Sequence, residues 1–119
     1  MLQVKRIYDH PEPTDGYRLL VDRLWPRGMT KESAALDGWL KEVAPSEALR
    51  RWFGHDPGRW EEFCRRYHAE LRTRPALWRP LLDTAATTTV TLLYGARDSQ
   101  HNNAVALRDF LASELLPLP

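Results

Sequence analysis

The apolar run "TTTVTLLYG", residues 87–95, constrains the fold of this chain more than any other segment. It is β-branched and apolar throughout, which is typical of a strand buried inside a sheet. A second run, "YRLLVDRLW" at 17–25, carries Leu19, Leu20 and Val21 in succession at its centre. Strands that are covered on both faces have such unbroken apolar centres, whereas half-exposed strands alternate. We therefore expect a strand over 17–25 that is central in its sheet.

Weaker patterns complete the predicted order of elements. The segments 2–8 and 39–46 alternate imperfectly, which indicates a short strand and a short third strand or extended segment. The predicted helices are a short one capped by Thr30 and ended by Gly38, one capped by Ser46 and ended by Gly54, and longer ones over 57–73, 75–86 and 102–116. In the turn "FGHDPGRW" at 53–60, His55 and Asp56 are the candidate caps of the helix that follows. This order predicts an α/β domain with a small, mostly parallel sheet flanked by helices.

Length and composition exclude several classes of protein. The 119 residues predict one domain over 1–119, with 117–119 as a tail. Because 17 Lys and Arg stand against 16 Asp and Glu, the net charge of +1 creates no general attraction to nucleic acid or membranes. No apolar segment approaches the roughly 18 residues that cross a bilayer, and the amino terminus has no signal-peptide pattern. We expect a cytoplasmic protein that does not enter a membrane.

The first polar loop, "DRLWPRGM", follows the second predicted strand. In open parallel sheets, ligands bind outside the carboxyl ends of the strands, so this loop is a candidate binding site. Arg23 and Arg27 are four residues apart across a turn, and both guanidinium groups can converge on one anion. Gly28 lets the backbone approach a ligand closely. Trp25 is either a core plug or a flat face for a planar ligand.

The second polar loop, "YGARDSQHNN", follows the last predicted strand. Asn102 is a good cap for the next helix, whose free backbone N–H groups can hold an anion. Asp98 can orient the ring of His101 and leave its other nitrogen for proton transfer. The alternative is that Asp98 or Asn102 only caps the helix while His101 faces water. The candidates from both loops are His101 and Asp98 for catalysis, and Arg23, Trp25, Arg27, Gly28, Tyr94, Arg97, Asn102 and Asn103 for ligand binding.

Several kinds of active site have no signal in this sequence. It contains no glycine-rich phosphate loop with lysine, no dinucleotide fingerprint, no paired-histidine metalloprotease signature and no serine elbow. The four histidines and the single cysteine are scattered, so we predict no metal and no cofactor. Cys64 falls on the apolar face of the helix predicted over 57–73, which is typical of an inert core residue.

Four stretches of the sequence also carry a family resemblance. These are "VKRIYD", "DGYRLLVDRLWPRGMTKE", "LDGWLKEVAPSEALRRWFGHDPGRWEEFCRRY" and "VTLLYGARDSQHNNAVALRDFL". Together they resemble the YeaO-like branch of the family called domain of unknown function 488. The resemblance implies a bacterial or archaeal α/β domain with a Rossmann-like or flavodoxin-like sheet, and no settled activity. The wider family tends to carry a Cys-His-Arg motif after the last strand. Here that region reads "YGARDSQHNN", and the missing cysteine counts against thiol chemistry.

Our first hypothesis is a pocket for a small anionic, nucleotide-like ligand between the loops at 22–28 and 94–103. Arginine side chains would hold the anion, Trp25 or Tyr94 would stack on a planar group, and any reaction would be hydrolysis or group transfer without a metal. The second hypothesis is a protein-binding domain in which Arg23 pairs with Asp22 or Asp98 as a structural brace. The third and weakest is nucleic-acid binding through arginines in 46–80, whose positive charge is diluted by neighbouring acids.

Overall fold

The computed structural model describes residues 1–115, with Leu115 described by its backbone only. Four strands form one sheet in the order β1-β4-β2-β3, and all three neighbouring pairs are parallel. The strands are β1 (Leu2–Arg6), β2 (Tyr17–Leu20), β3 (Gly38–Trp39) and β4 (Val90–Tyr94). The α/β prediction is confirmed, and the parallel sheet is consistent with the Rossmann-like or flavodoxin-like arrangement that the resemblance implies.

Five α-helices accompany the sheet in the described part of the chain. They are α1 (Lys31–Ala34), α2 (Glu47–Phe53), α3 (Trp60–Arg72), α4 (Arg79–Thr87) and α5 (Asn103–Leu115). Single 3₁₀ turns occupy Pro13–Asp15, Lys41–Val43, Pro57–Arg59 and Pro75–Leu77. None of the helices within 1–115 has the length and apolar composition that crossing a bilayer requires. The predicted tail at 117–119 lies outside the described residues.

The two faces of the sheet are covered differently. Val90, Leu92 and Tyr94 of β4 join a large apolar cluster to which α2, α3, α4 and α5 all contribute. Leu93, between them, points to the opposite face and joins a small cluster with Leu20 of β2. The unbroken apolar centre of β4 is therefore explained by cover on both sides, since all five of its residues are buried.

A buried ion-pair network occupies part of the second face. Arg18 donates hydrogen bonds to the Asp15 carboxylate and, at 2.8 Å, to the Ala34 carbonyl oxygen. Lys5 Nζ lies 3.1 Å from the same carboxylate, and the Thr91 hydroxyl donates to the Asp15 carbonyl oxygen at 2.6 Å. Asp15, Arg18 and Thr91 are all buried. The second face of the sheet is therefore covered partly by this polar network and partly by the small apolar cluster.

The predicted strands are confirmed in kind but are shorter than expected. β2 is central, as predicted, yet it ends at Leu20 instead of continuing to residue 25. Of the third segment, predicted over 39–46, only Trp39 pairs, together with Gly38 before it, and a 3₁₀ turn follows at Lys41–Val43. Gly38 therefore begins a strand and does not end a helix. The helix that Thr30 caps ends at Ala35, which has a φ of 48°.

The remaining helix predictions hold with adjusted starts. Ser46 and Gly54 bound α2 as expected, with the Ser46 hydroxyl accepting from the Leu49 N–H at 3.2 Å. The helices predicted from residues 57 and 75 each begin with a 3₁₀ turn instead. Pro80 is tolerated because it lies in the first turn of α4, where a backbone N–H needs no partner within the helix.

Candidate functional site

A cavity of about 360 Å³ lies at the carboxyl edge of the sheet, in the size range of small-molecule sites. The chain that leaves β2 forms one wall, and the chain that leaves β4, with the start of α5, forms another. The end of α2 contributes a third. The lining residues are Tyr8, 22–27, 44–45, 50–51, 53–55, Phe63, 95–96 and 102–103. The structure thus brings the two predicted loops to one cavity, as the edge of a parallel sheet requires.

Arg23 lines this cavity without a carboxylate partner among the described residues. Its buried Nε has no hydrogen-bond partner there, and its Nη2 reaches only the Pro45 carbonyl oxygen at 3.4 Å. The expected pairing of Arg23 with Asp22 or Asp98 is therefore wrong. Asp98 instead pairs with His101, and Asp22 accepts hydrogen bonds from other groups. An arginine that is left in this state costs stability, because a buried donor has given up water without a replacement.

Asp22 ties the walls of the cavity together. Its Oδ2 accepts the Gly95 N–H at 2.8 Å, and its Oδ1 accepts the Asn103 side-chain amide at 3.0 Å. The same amide donates to the Val21 carbonyl oxygen at 2.9 Å. Burial, the strongest influence, raises the pKa of Asp22, although the two hydrogen bonds and the charge of His55 act against it. One carboxylate thus joins the end of β2, the end of β4 and the start of α5.

The positive charge around the cavity comes from more than the predicted arginine pair. Arg27 is exposed, and its backbone carbonyl oxygen accepts the Tyr8 hydroxyl at 2.7 Å. Arg50 and Arg51 of α2 also line the cavity, where Glu47 pairs closely with Arg51 at 2.7 Å and loosely with Arg50 at 3.8 Å. Asp22 is the single acidic residue among the described lining residues, so cations dominate this surface.

Trp25 and Gly28 both have structural roles in the loop that follows β2. The Trp25 indole N–H donates to the Met29 carbonyl oxygen at 2.7 Å, and its ring meets Trp39 edge-on at 5.3 Å. The ring is therefore held in place while Trp25 still lines the cavity. Gly28 has a φ of 76°, and a Cβ placed there would meet nothing within 4 Å. The positive φ is a backbone reason for glycine here; Gly28 does not line the cavity, and a close approach of its backbone to a ligand stays a prediction.

The second loop contains the predicted Asp98 and His101 pair, but outside the cavity. His101 Nδ1 lies 2.8 Å from Asp98 Oδ2, and the His101 ring packs edge-on against Trp60. Hydrogen bonds from the Gln100 backbone and the His101 side chain lower the pKa of Asp98. Arg97 is exposed and also lies outside the cavity lining. The orienting contact thus exists, while its role in proton transfer stays a prediction.

Three more predicted ligand-binding residues lie in two different places: Tyr94 is in the core, and Asn102 and Asn103 line the cavity. Tyr94 is buried in the large apolar cluster, so it has no free face on which a ligand could stack. Asn102 caps α5 as predicted, because its Oδ1 accepts the Val105 N–H at 3.0 Å. Asn102 and Asn103 both line the cavity. Contact of these two with a ligand stays a prediction.

His55 is the lining residue that the sequence placed elsewhere. It follows Gly54 at the end of α2, and the two residues have φ values of 57° and 54°. Asp56 provides the predicted cap by accepting the Gly58 N–H at 2.9 Å, whereas His55 lines the cavity. A left-handed conformation is strained for a residue other than glycine, and such strain concentrates at functional sites. A histidine directly after a helix-ending glycine is the signal that could have identified it.

Cys64 is half-buried on α3, and we expect it to be unreactive. Burial, with a smaller effect of the Asp109 carboxylate, raises the pKa of Cys64 to about 11. At pH 8 only about 0.1% of such a thiol is ionised, against roughly a quarter of a free cysteine. Labelling with a disulfide reagent at pH 8 should therefore be at least about 100-fold slower in native protein than in urea. Equal rates in the two solutions would contradict the structure at this residue.

Within residues 1–115, no group of three or more histidine, cysteine, aspartate or glutamate side chains has a metal-binding arrangement. The absence of a metal, which the sequence predicts, stays a prediction. The arginine, histidine and amide side chains around the cavity are instead donors of the kind that hold anions.

Comparison with known proteins identifies relatives over nearly the whole chain. The model of the family described as "Inactive DUF488-N3 subclade" matches residues 1–117. Uncharacterized protein YeaO of Escherichia coli strain K12 is 45% identical over 112 residues, which cover 94% of this chain and 97% of that protein. An uncharacterised protein of Mycobacterium tuberculosis is 38% identical over 110 residues, covering 92% of each chain. No solved structure matches this chain.

Proposed function

This chain belongs to the inactive DUF488-N3 subclade, and from that premise we propose that it binds a small anionic, nucleotide-like ligand without converting it. The ligand occupies the cavity between the loop at 22–27 and the start of α5. The predicted YeaO-like membership is confirmed by the family match and the 45% identical relative. That membership supplies no ligand, so the proposal depends on the chemistry of the cavity.

The observation that carries the proposal is that Arg23 has no carboxylate partner among the described residues and that its buried Nε has no hydrogen-bond partner there. A buried charged donor is normally satisfied by a carboxylate or several carbonyl oxygens, and Arg23 has only a long contact to Pro45 among the described residues. A bound anion would supply the missing partner. Arg27 and Arg50 line the same cavity and would add attraction at its rim.

Binding is favoured over catalysis by the residues that line the cavity. None of the described lining residues is a serine, threonine, cysteine or lysine, so of the side chains that enzymes use as nucleophiles only Tyr8, Asp22 and His55 line it. The Asp98–His101 pair, which the sequence marks as an acid or base, does not line the cavity. Both observations agree with the word inactive in the family's description.

The two alternative functions receive less support. A brace built on Arg23 and a carboxylate would favour a protein-binding domain, but Arg23 makes no such pair in the described part of the chain. For nucleic-acid binding, the exposed Arg65 and Arg66 of α3 are both paired with Glu62, at 2.6 and 2.8 Å. A phosphate backbone would have to compete with these carboxylates.

Replacement of Arg27 by alanine tests the proposal directly. Wild-type protein should be stabilised against heat by inorganic phosphate and by nucleoside monophosphates, and Arg27→Ala should lose at least about tenfold in affinity for each. The fold should survive, because Tyr8 bonds to the backbone oxygen of Arg27 and not to its side chain. Isothermal titration of the two proteins gives the dissociation constants.

The matched control is Arg65→Ala, which removes one exposed arginine that does not line the cavity. It should bind anions as the wild type does, because it lowers only the net charge. Equal losses in both variants would mean that anions respond to overall charge and not to this cavity. If neither phosphate nor any nucleotide binds the wild-type protein, the proposed function is wrong.

A further inference from the structure

Asp22 and Arg23 carry opposite charges, line the same cavity, and do not pair with each other. Asp22 is held by the Gly95 N–H and the Asn103 amide, and Arg23 by one long contact to Pro45. Neither side chain forms an ion pair within the described residues. Adjacent opposite charges that stay apart in a partly buried place give up a favourable interaction. A ligand with an acceptor for one residue and a donor for the other would recover it.

The Asp22 carboxylate still has room for such a donor. An ionised carboxylate offers about four acceptor positions, two on each oxygen. Gly95 uses one position on Oδ2, and Asn103 uses one on Oδ1. By this count each oxygen retains one acceptor position, which is the number that two neighbouring N–H groups require.

The apolar part of the cavity fits a planar ring system. Trp25, which is half-buried, and Tyr8, which is exposed, line it with accessible ring surface, whereas the lining Phe53 and Phe63 are buried in the large apolar cluster. Trp25 is fixed by its bond to the Met29 carbonyl oxygen and by Trp39, so it forms a rigid wall. Aromatic walls of this kind favour flat aromatic ligands over flexible aliphatic ones.

We propose that the cavity selects guanine nucleoside monophosphates, with Asp22 accepting the two neighbouring N–H donors of the base and the arginines holding the phosphate. The inference rests on the proposed function, since it assigns the ligand of that same cavity. Guanine presents N1–H and the 2-amino group side by side, which matches a carboxylate with one open position on each oxygen. Adenine presents the N1 lone pair at the same place, and two acceptors that face each other repel. Hypoxanthine keeps N1–H but lacks the amino group.

The experiment is a titration of wild-type protein with GMP, IMP, AMP, guanosine and inorganic phosphate. We expect GMP to bind about tenfold more tightly than IMP, and IMP about tenfold more tightly than AMP, because each hydrogen bond to a charged acceptor is worth roughly one such step. Guanosine, which lacks the phosphate, should bind at least about tenfold more weakly than GMP. Inorganic phosphate should bind weakly but measurably.

Asp22→Asn tests the residue to which the selectivity is assigned. The variant should lose the GMP preference, with the ratio of AMP to GMP dissociation constants falling about tenfold or more, while inorganic phosphate binds at least as well as before. Asp83→Asn, an exposed aspartate on α4, is the control and should keep the wild-type ratio.

The outcomes separate this inference from the proposed function. Equal binding of AMP and GMP by wild-type protein, or an unchanged ratio in Asp22→Asn, overturns the guanine assignment while anion binding stands. Failure of phosphate and every nucleotide to bind overturns both. If Asp22→Asn does not fold, the ranking of GMP, IMP and AMP on the wild type alone decides, because it needs no variant.

Discussion

Gly16→Ala should lower the free energy of unfolding by about 3–5 kcal/mol, through steric overlap and backbone strain together. Gly16 has φ 62° and ψ −133°, a region that essentially only glycine populates. A Cβ at this position would lie 2.2 Å from the Thr89 carbonyl oxygen. That oxygen accepts the Tyr17 N–H at 3.0 Å, so moving it would weaken the hydrogen bond that joins the start of β2 to the residue before β4. Urea denaturation followed by circular dichroism measures the change.

Gly28→Ala is the matched control for this prediction. Gly28 also has a positive φ, 76°, but its added Cβ would meet nothing within 4 Å. The cost should therefore be backbone strain alone, about 1 kcal/mol. Comparable losses at both glycines would contradict the close contact between Gly16 and Thr89.

Asp15→Ala should destabilise the protein by about 3–5 kcal/mol, because it removes the carboxylate from a buried ion pair and leaves its partner unpaired. Arg18, the partner, is buried, and Lys5 loses the same carboxylate. Removal of Asp109, whose pair with Arg108 is exposed, should cost about 0.5 kcal/mol or less. Chemical denaturation of the two variants at pH 7 gives both free energies of unfolding. Similar losses in the two variants would contradict the larger contribution that we assign to the buried Asp15 pair.

The Asp15 network should also make stability depend on pH in acid. Burial, the largest influence, would raise the pKa of Asp15, but the Glu12 N–H, Lys5 and Arg18 outweigh it, and the pKa is lowered. A carboxyl whose folded pKa lies below its unfolded value stabilises the fold above the unfolded pKa, about 3.9, and this contribution disappears as the pH falls through the folded pKa. Denaturation between pH 2 and pH 6 should show this loss in the wild type, and a flatter dependence in Asp15→Ala. Parallel curves would contradict the assignment.

Much of the fold could be predicted because it depends on neighbours in the chain. The β-branched run that ends at Tyr94 has a strong local preference for a buried strand, and it forms one. Ser46 and Gly54 bound α2 through hydrogen bonds that span four residues or fewer. The residues at which the strands end were harder to predict from the sequence. β2 stops at Leu20 although the apolar Val21 follows, because the length of a strand depends on the partner beside it, and that partner is distant in sequence.

The sequence predicted where the candidate site lies, but it did not predict correctly which residues line it. Parallel strands end at one edge, so the polar loops after β2 and β4 had to meet there, and both line the cavity. Tyr94 was expected in the site and is buried in the core, while His55 was expected at a helix cap and lines the cavity. Whether a side chain points inward or outward at the end of a strand depends on one residue of register.

The sequence by itself thus determined the kinds of element, their order and the edge at which polar loops gather, since these follow from local spacing and from the parallel arrangement. Only the tertiary structure decided which charges find partners. Arg18 pairs with Asp15 in a buried network, whereas Arg23, beside Asp22 in the chain, pairs with no carboxylate in the described residues. Each arginine has an aspartate within the three residues before it and a leucine directly after it, so the sequence does not distinguish them. Whether each arginine has a carboxylate partner depends on the groups that folding brings within about 3–4 Å, the distance over which hydrogen bonds and ion pairs act.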